Sequence, residues 1–141
     1  MFLQPKKTLF RKYKKGYIKK TASSKVNSLQ FGDYGIKVLS SFRITARQLE
    51  SLRQCLNREL KREGKLWFRV FPQIPVTKQP TENRMGKGKG GVDFWMSPLK
   101  PGTILVELGG SVSESKSLRA LTKACAKLPV NSVIVRRFNT F

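Results

Sequence analysis

Residues 45–71 read TARQLESLRQCLNRELKREGKLWFRVF, a helix pattern running directly into a strand pattern. Thr45 and Gln48 stand in capping-box spacing, in which each side chain satisfies the other residue's backbone amide. At the helical period, Leu49, Leu52, Leu56 and Leu60 fall on one side, and Arg47, Arg58, Lys61 and Arg62 on the other. Gly64 stands where a helix C′ residue would take left-handed backbone. Leu66 to Phe71 is then dense in aromatic and branched residues and stops at Pro72, which predicts a strand too apolar on both faces for an exposed edge.

Working outward, Ile36 to Leu39 is a short apolar run that predicts an earlier strand. Val92 to Ser97 and Thr103 to Leu108 predict two more, with Pro98-Leu99-Lys100-Pro101-Gly102 as a hairpin turn between them. A second helix is expected from Glu114 to Leu128, capped by Ser111 or Ser113 and stopped by Pro129, with Leu118, Leu121, Cys125 and Leu128 on its packing face. Ser132 to Phe138 closes as a last strand. These elements predict an α+β fold: two helices packed on a mostly antiparallel sheet. The organisation expected is a basic arm over residues 1–34 and one globular domain over 35–141, with a projecting loop at 72–91.

The charge bounds the function. The 141 residues hold 29 Lys and Arg against 8 Asp and Glu, a formal net charge of +21. Such a chain repels itself unless a polyanion screens it, and nucleic acid is the obvious one. With no histidine and few acids, acid–base, nucleophilic and zinc chemistry lack an inventory, so neither an enzyme nor a metal or cofactor site is expected. Cys55 and Cys125 sit at apolar spacing and read as small buried hydrophobes. No apolar run approaches the roughly 20 residues of a membrane helix, so a soluble protein without a membrane partner is expected.

Two segments carry most of the unopposed charge. Before the first acid, Asp33, come nine cations: Lys6, Lys7, Arg11, Lys12, Lys14, Lys15, Lys19, Lys20 and Lys25. Phe10, Tyr13 and Tyr17 are interleaved with them. An extended arm of this kind can neutralise phosphates while its rings stack on bases. The second segment, Pro72 to Gly91, has three prolines, four glycines, and Lys78, Arg84, Lys87 and Lys89 against Glu82 alone. A loop of this length inside a compact domain points to function. Its tip, Arg84-Met85-Gly86-Lys87-Gly88-Lys89-Gly90, offers backbone amides and cations with no bulk in between.

Two glycine motifs are excluded by context. Gly86, Gly88 and Gly91 match G-x-G-x-x-G, but a strand follows where that dinucleotide fingerprint needs a helix. Val92 and Asp93 stand where a triphosphate-binding loop requires Lys and Ser or Thr. No small-molecule substrate is therefore expected. Ser113 and Lys116 have the S-x-x-K spacing of an acyl-enzyme nucleophile without its partner motifs.

Along nearly its whole length the chain resembles the bacterial and organellar ribosomal protein L-sixteen family of the large subunit. Leu3-Gln4-Pro5-Lys6-Lys7-Thr8 with Phe10-Arg11-Lys12 is similar to that family's N-terminus. Phe31-Gly32, Tyr34-Gly35-Ile36-Lys37, Thr45 to Glu50 and Lys127-Leu128-Pro129-Val130 continue the match. Lys61 to Pro72 and Arg84 to Gly90 are its most specific stretches. The resemblance implies a structural constituent of the large ribosomal subunit that binds large-subunit rRNA and helps position aminoacyl-tRNA near the peptidyl transferase centre. Neighbouring ribosomal proteins are the implied further partners.

On that resemblance, rRNA contact is assigned to Lys6, Lys7, Arg11, Lys12, Lys14, Lys15, Lys19, Lys20, Arg47, Arg58, Lys61 and Arg62. Arg84, Met85, Gly86, Lys87, Gly88, Lys89 and Gly90 form the loop directed toward tRNA and the peptidyl transferase centre. Family-like sequence from Leu3 onward argues against a cleaved transit peptide. Phe68 in place of an aliphatic residue, Asn83 ahead of the loop, the ending Arg136 to Phe141 and the wealth of Lys and Phe suggest drift. They favour an organelle-encoded protein of the mitochondrial ribosome, with chloroplast or bacterial cytoplasm as alternatives. The competing reading from another class is a free-standing basic RNA-binding assembly or chaperone factor.

Overall fold

The structure, a computed structural model, describes residues 3–18, 21–22 and 28–137. Seven strands and two helices follow one another as β1 Tyr34–Val38, β2 Phe42–Thr45, α1 Ala46–Glu59, β3 Lys65–Phe68, β4 Ile74–Lys78, β5 Gly91–Leu99, β6 Ile104–Gly109, α2 Glu114–Cys125 and β7 Ser132–Arg136. The α+β class holds, and every strand pairing is antiparallel. The single expected sheet is instead two: four strands in the order β3-β6-β1-β7 and three in the order β2-β5-β4.

α1 forms as its sequence dictates. Thr45 is the N-cap, Gln48 donates its amide to the Thr45 hydroxyl at 3.3 Å, and Thr45 donates its own to the Gln48 side chain at 2.9 Å. Leu49, Leu52, Leu56 and Leu60 are all at most 1% exposed and lie in one core with Ile36, Val106, Leu108 and Leu121. Each such leucine is worth about 2–5 kcal/mol against truncation to alanine. The helix stops earlier than Gly64 suggested. Leu60 is the C-cap, and Lys61 and Arg62 take left-handed backbone with φ of 52° and 67°. Few L-residues adopt such angles, at about 1–2 kcal/mol each. The tight reversal brings Lys65 opposite Gly109, where β3 must start.

Four further expectations change. β3 ends at Phe68, although the Arg69 amide still donates to Leu105 O at 3.0 Å, and it is an edge strand after all, its two apolar faces covered by the core against Leu66 and Phe68 and by Phe31 on Trp67. β4 occupies the start of the expected 72–91 loop, leaving 79–90 between β4 and β5. Its Pro75 is tolerated because β4 is an edge strand. The expected hairpin across 98–102 does not exist, because β5 and β6 belong to different sheets. β5 runs on through Pro98, which pairs with Arg43 of β2 beyond Met96, the last β5 residue opposite β4, so its missing amide costs β4 no bond. α2 buries Ser117, Ala120, Leu121 and Ala124, while Leu118 is 38% exposed. Leu121 packs as expected, and Cys125 and Leu128 lie partly buried against the core, but Ser117, Ala120 and Ala124 take the rest of the buried face toward α1, β1 and β7 in place of Leu118. Ser113 is the α2 N-cap but makes no side-chain capping bond. Lys19, Lys20, Lys25 and the end of the last expected strand, Phe138, lie outside the described residues.

Candidate nucleic-acid interface

The few acids are engaged inside the domain. Five of the eight pair with cations: Glu50 with Arg53, Glu59 with Lys123, Glu63 with Lys116, Glu107 with Arg69 and Glu114 with Arg136. The Arg53 side chain holds the Glu50 carboxyl below its ordinary range, and Lys123 and Lys116 do the same for Glu59 and Glu63. Among the described residues, no carboxylate pairs with a cation of the arm or the loop. Lys6, Lys7, Arg11, Lys12, Lys14 and Lys15 are exposed, as are Arg84, Lys87 and Lys89. The positive field of these two segments is therefore uncancelled by neighbours.

The loop is the end of the β4–β5 hairpin. At its neck Gly90 packs so closely that a Cβ there would lie 2.2 Å from Lys78 O. At its tip Gly86 and Gly88 take φ of 90° and 89° with nothing within 4 Å, and Met85 is 94% exposed. Gln79 donates its side-chain amide to Arg84 O at 3.1 Å and so shapes the approach to the tip. The arm and loop, separate in the sequence, meet here. Lys89 donates to Tyr13 O at 2.6 Å, and Lys12 donates to Lys89 O. Arg43 of β2 donates to Gly16 O at 2.6 Å and fixes the arm further along.

The four cations expected on one face of α1 are divided. Arg47 stands at the start of the helix, beside Leu3, Asp93 and Trp95. Arg58 and Lys61 lie at the far end, eleven residues or about 16 Å away, around a recess shared with Lys116, Arg119 and Lys123 of α2. Arg62, on the left-handed turn, is exposed. The α2 cations were missed because that helix was read for its apolar stripe. Lys116, Arg119 and Lys123, with Lys127 just past the helix end, recur at spacings of three and four, which the sequence does contain.

Sequence reasoning also passed over Glu107. It sits in the middle of β6 and is 0% exposed. Its Oε2 accepts from three successive amides, Gln30 at 3.0 Å, Phe31 at 2.7 Å and Gly32 at 3.0 Å, and its Oε1 accepts from Arg69. Arg69 also donates to the Gln30 side chain at 2.9 Å. Burial pushes the Glu107 carboxyl up, but the amides of Gly32 and Phe31, then Arg69 and Gln30, outweigh it and hold it below its ordinary value. The base of the arm is thereby strapped over the outer face of the four-stranded sheet, and Asp33 extends the contact by donating its amide to Leu108 O at 2.9 Å. Gly32 permits the approach, since a Cβ there would lie 2.6 Å from Leu108 O.

A family model described as ribosomal protein L16p/L10e matches residues 5–135. The large ribosomal subunit protein uL16 of Mesorhizobium japonicum is 50% identical over 135 residues, covering 96% of this chain and 97% of the relative. That of Maricaulis maris is 50% identical with the same coverage, and that of Leptospira biflexa 47%. All three are bacterial proteins. They fit the bacterial alternative and lend no support to the mitochondrial preference drawn from sequence drift.

Proposed function

This chain belongs to the ribosomal protein L16p/L10e family, and we propose that it acts as a structural constituent of the large subunit that holds ribosomal RNA and helps position aminoacyl-tRNA. The observation that carries the reading is the separation of charge. Five of the eight acids are paired within the domain, whereas the described arm and loop cations are exposed and have no carboxylate partner among the described residues. Phosphates supply the missing counter-charges. The arm, with Lys6, Lys7, Arg11, Lys12, Lys14 and Lys15, binds rRNA, as do Arg58, Lys61 and Arg119 of the recess, the three of its cations without a carboxylate partner among the described residues. The hairpin tip, with Arg84, Lys87 and Lys89, reaches the RNA nearest the tRNA. A loop of glycine and lysine fits between RNA strands where bulkier side chains would clash. Reaction chemistry belongs to the RNA, and the protein orients.

Sedimentation through a high-salt gradient tests the structural role. The protein should remain with large subunits, and its loss at moderate salt would favour a free-standing assembly factor. Arg84→Ala with Lys87→Ala tests the loop. Translation should fall more than incorporation into subunits, and equal loss of both would remove the tRNA assignment.

A further inference from the structure

Phe31 leaves 55% of its surface exposed at the best-fastened point of the N-terminal segment. Its amide is bound to Glu107, and its ring stacks on Trp67 with centroids 6.1 Å apart and planes inclined by 22°. The Arg69 guanidinium lies 5.1 Å from the Phe31 ring, and the Lys65 ammonium 5.4 Å from the Trp67 ring. Lys65, Trp67 and Arg69 are alternate residues, so they share one side of β3 and its continuation. Cation, ring, ring and cation thus follow one another across the outer face of the four-stranded sheet.

Core packing does not account for this arrangement. A phenyl ring that stays more than half exposed gains little from burial, yet it is held from below by a tryptophan and at its root by three amide bonds. Arg69 is committed to Glu107, so it orients Phe31 and has little charge to offer elsewhere. Lys65 has no carboxylate partner among the described residues. A rigid, exposed aromatic surface with one free cation at its edge matches a nucleotide: a flat base for the ring and a phosphate for the ammonium. An apolar protein partner would need a larger uncharged patch than one ring within a cationic row. A duplex already stacks its own bases, so an unpaired one fits.

We propose that Phe31 is a stacking platform for one unpaired RNA base, with Lys65 holding an adjacent phosphate. The proposal rests on the RNA-binding reading above and adds a site outside the arm and loop cations. It is tested on the full chain by fluorescence anisotropy, with a short single-stranded RNA and a duplex of equal charge, over a range of salt. Phe31→Leu keeps an apolar cover on Trp67 but removes the stacking face. It should weaken single-strand binding roughly 5- to 150-fold, the range that one base–aromatic stack spans, while leaving duplex binding and the salt slope unchanged. Phe31→Trp should restore the affinity. Lys65→Ala should lower the single-strand salt slope by about 0.7, the value of one phosphate contact. Wild-type affinity in Phe31→Leu overturns the proposal, as does equal weakening toward both RNAs with a shallower slope, which would make the ring an anchor for the arm. If the unaltered protein shows no salt-dependent RNA binding, the broader reading fails instead.

Discussion

The root of the N-terminal segment and the tip of the β4–β5 loop use the same ingredients, glycine and cations, for opposite purposes. At the root Gly32 has no space around it, with Leu108 O 2.6 Å from where a Cβ would be; at the tip Gly86 and Gly88 have nothing within 4 Å. At the root a cation, Arg69, is neutralised by a fully buried carboxylate; at the tip Arg84, Lys87 and Lys89 have no carboxylate partner among the described residues. Cations whose charge is cancelled internally build the fold, and cations left uncancelled are available to a polyanion. Stability and recognition therefore sit in separate places, and substitutions should separate them.

The sharpest break in that comparison would come from Glu107→Ala. It strands the Arg69 charge and orphans three amides, and loss of one partner of a buried pair costs about 3–5 kcal/mol. Denaturant unfolding should show this loss, whereas Arg84→Ala should stay within about 0.5 kcal/mol of the unaltered protein. Comparable losses in the two variants would mean that the clamp is not structural. The pH dependence has a definite sign. Because the folded Glu107 carboxyl lies below its ordinary value of 4.5, its contribution is complete above that value and is lost as pH falls through the folded pKa. Acid should thus loosen the strap, and Glu107→Gln should flatten that part of the profile.

Glycine substitutions sharpen the same contrast at a smaller scale. Gly32→Ala drives a methyl group into Leu108 backbone, which has no flexible end to move aside, and should cost about 1–3 kcal/mol. Gly86→Ala meets open space and only the strain of its positive φ, which an exposed loop can relax, so the unfolding free energy should change by no more than about 1 kcal/mol. Translation should still respond to Gly86→Ala, because the tip backbone changes shape. A larger stability loss at Gly86 than at Gly32 would reverse the assignment of the two sites.

What the sequence revealed follows this division. α1 was legible because its cap and leucine seam are local: Thr45 and Gln48 are three residues apart, and Leu49 to Leu60 repeat at the helical period. The cations of arm and loop were legible because their lack of acids is a property of composition. Glu107 was not. Alternation along β6 gives a lone acid no reason to be buried, and the amides that receive it are 75 to 77 residues away in sequence. A rare acid between apolar residues of a central strand, in a chain with eight acids, was the available signal. Pro98 misled for a related reason. It reads locally as a turn, but only the pairing of β5 with β2 and the end of β4 explain its place in a strand.

The smallest effect concerns the point where arm and loop touch. Lys89 donates to Tyr13 O and Lys12 to Lys89 O, so two cations otherwise free for phosphate also tie the segments together. Both bonds are exposed, and each is worth no more than about 1 kcal/mol in water. Lys12→Ala should therefore leave global unfolding unchanged while loosening the loop, seen as faster limited cleavage by trypsin after Lys87. A tethered loop cannot be wholly independent of the arm. Removing residues 1–18 should lower RNA affinity and its salt slope and also reproduce the faster cleavage. Unchanged cleavage in both variants would make arm and loop independent, and a truncation could then report on rRNA affinity alone. Faster cleavage in both would mean that the arm helps to aim the loop, so truncation data would have to be read beside Lys12→Ala, which removes one arm cation and one tie but keeps the rest of the arm.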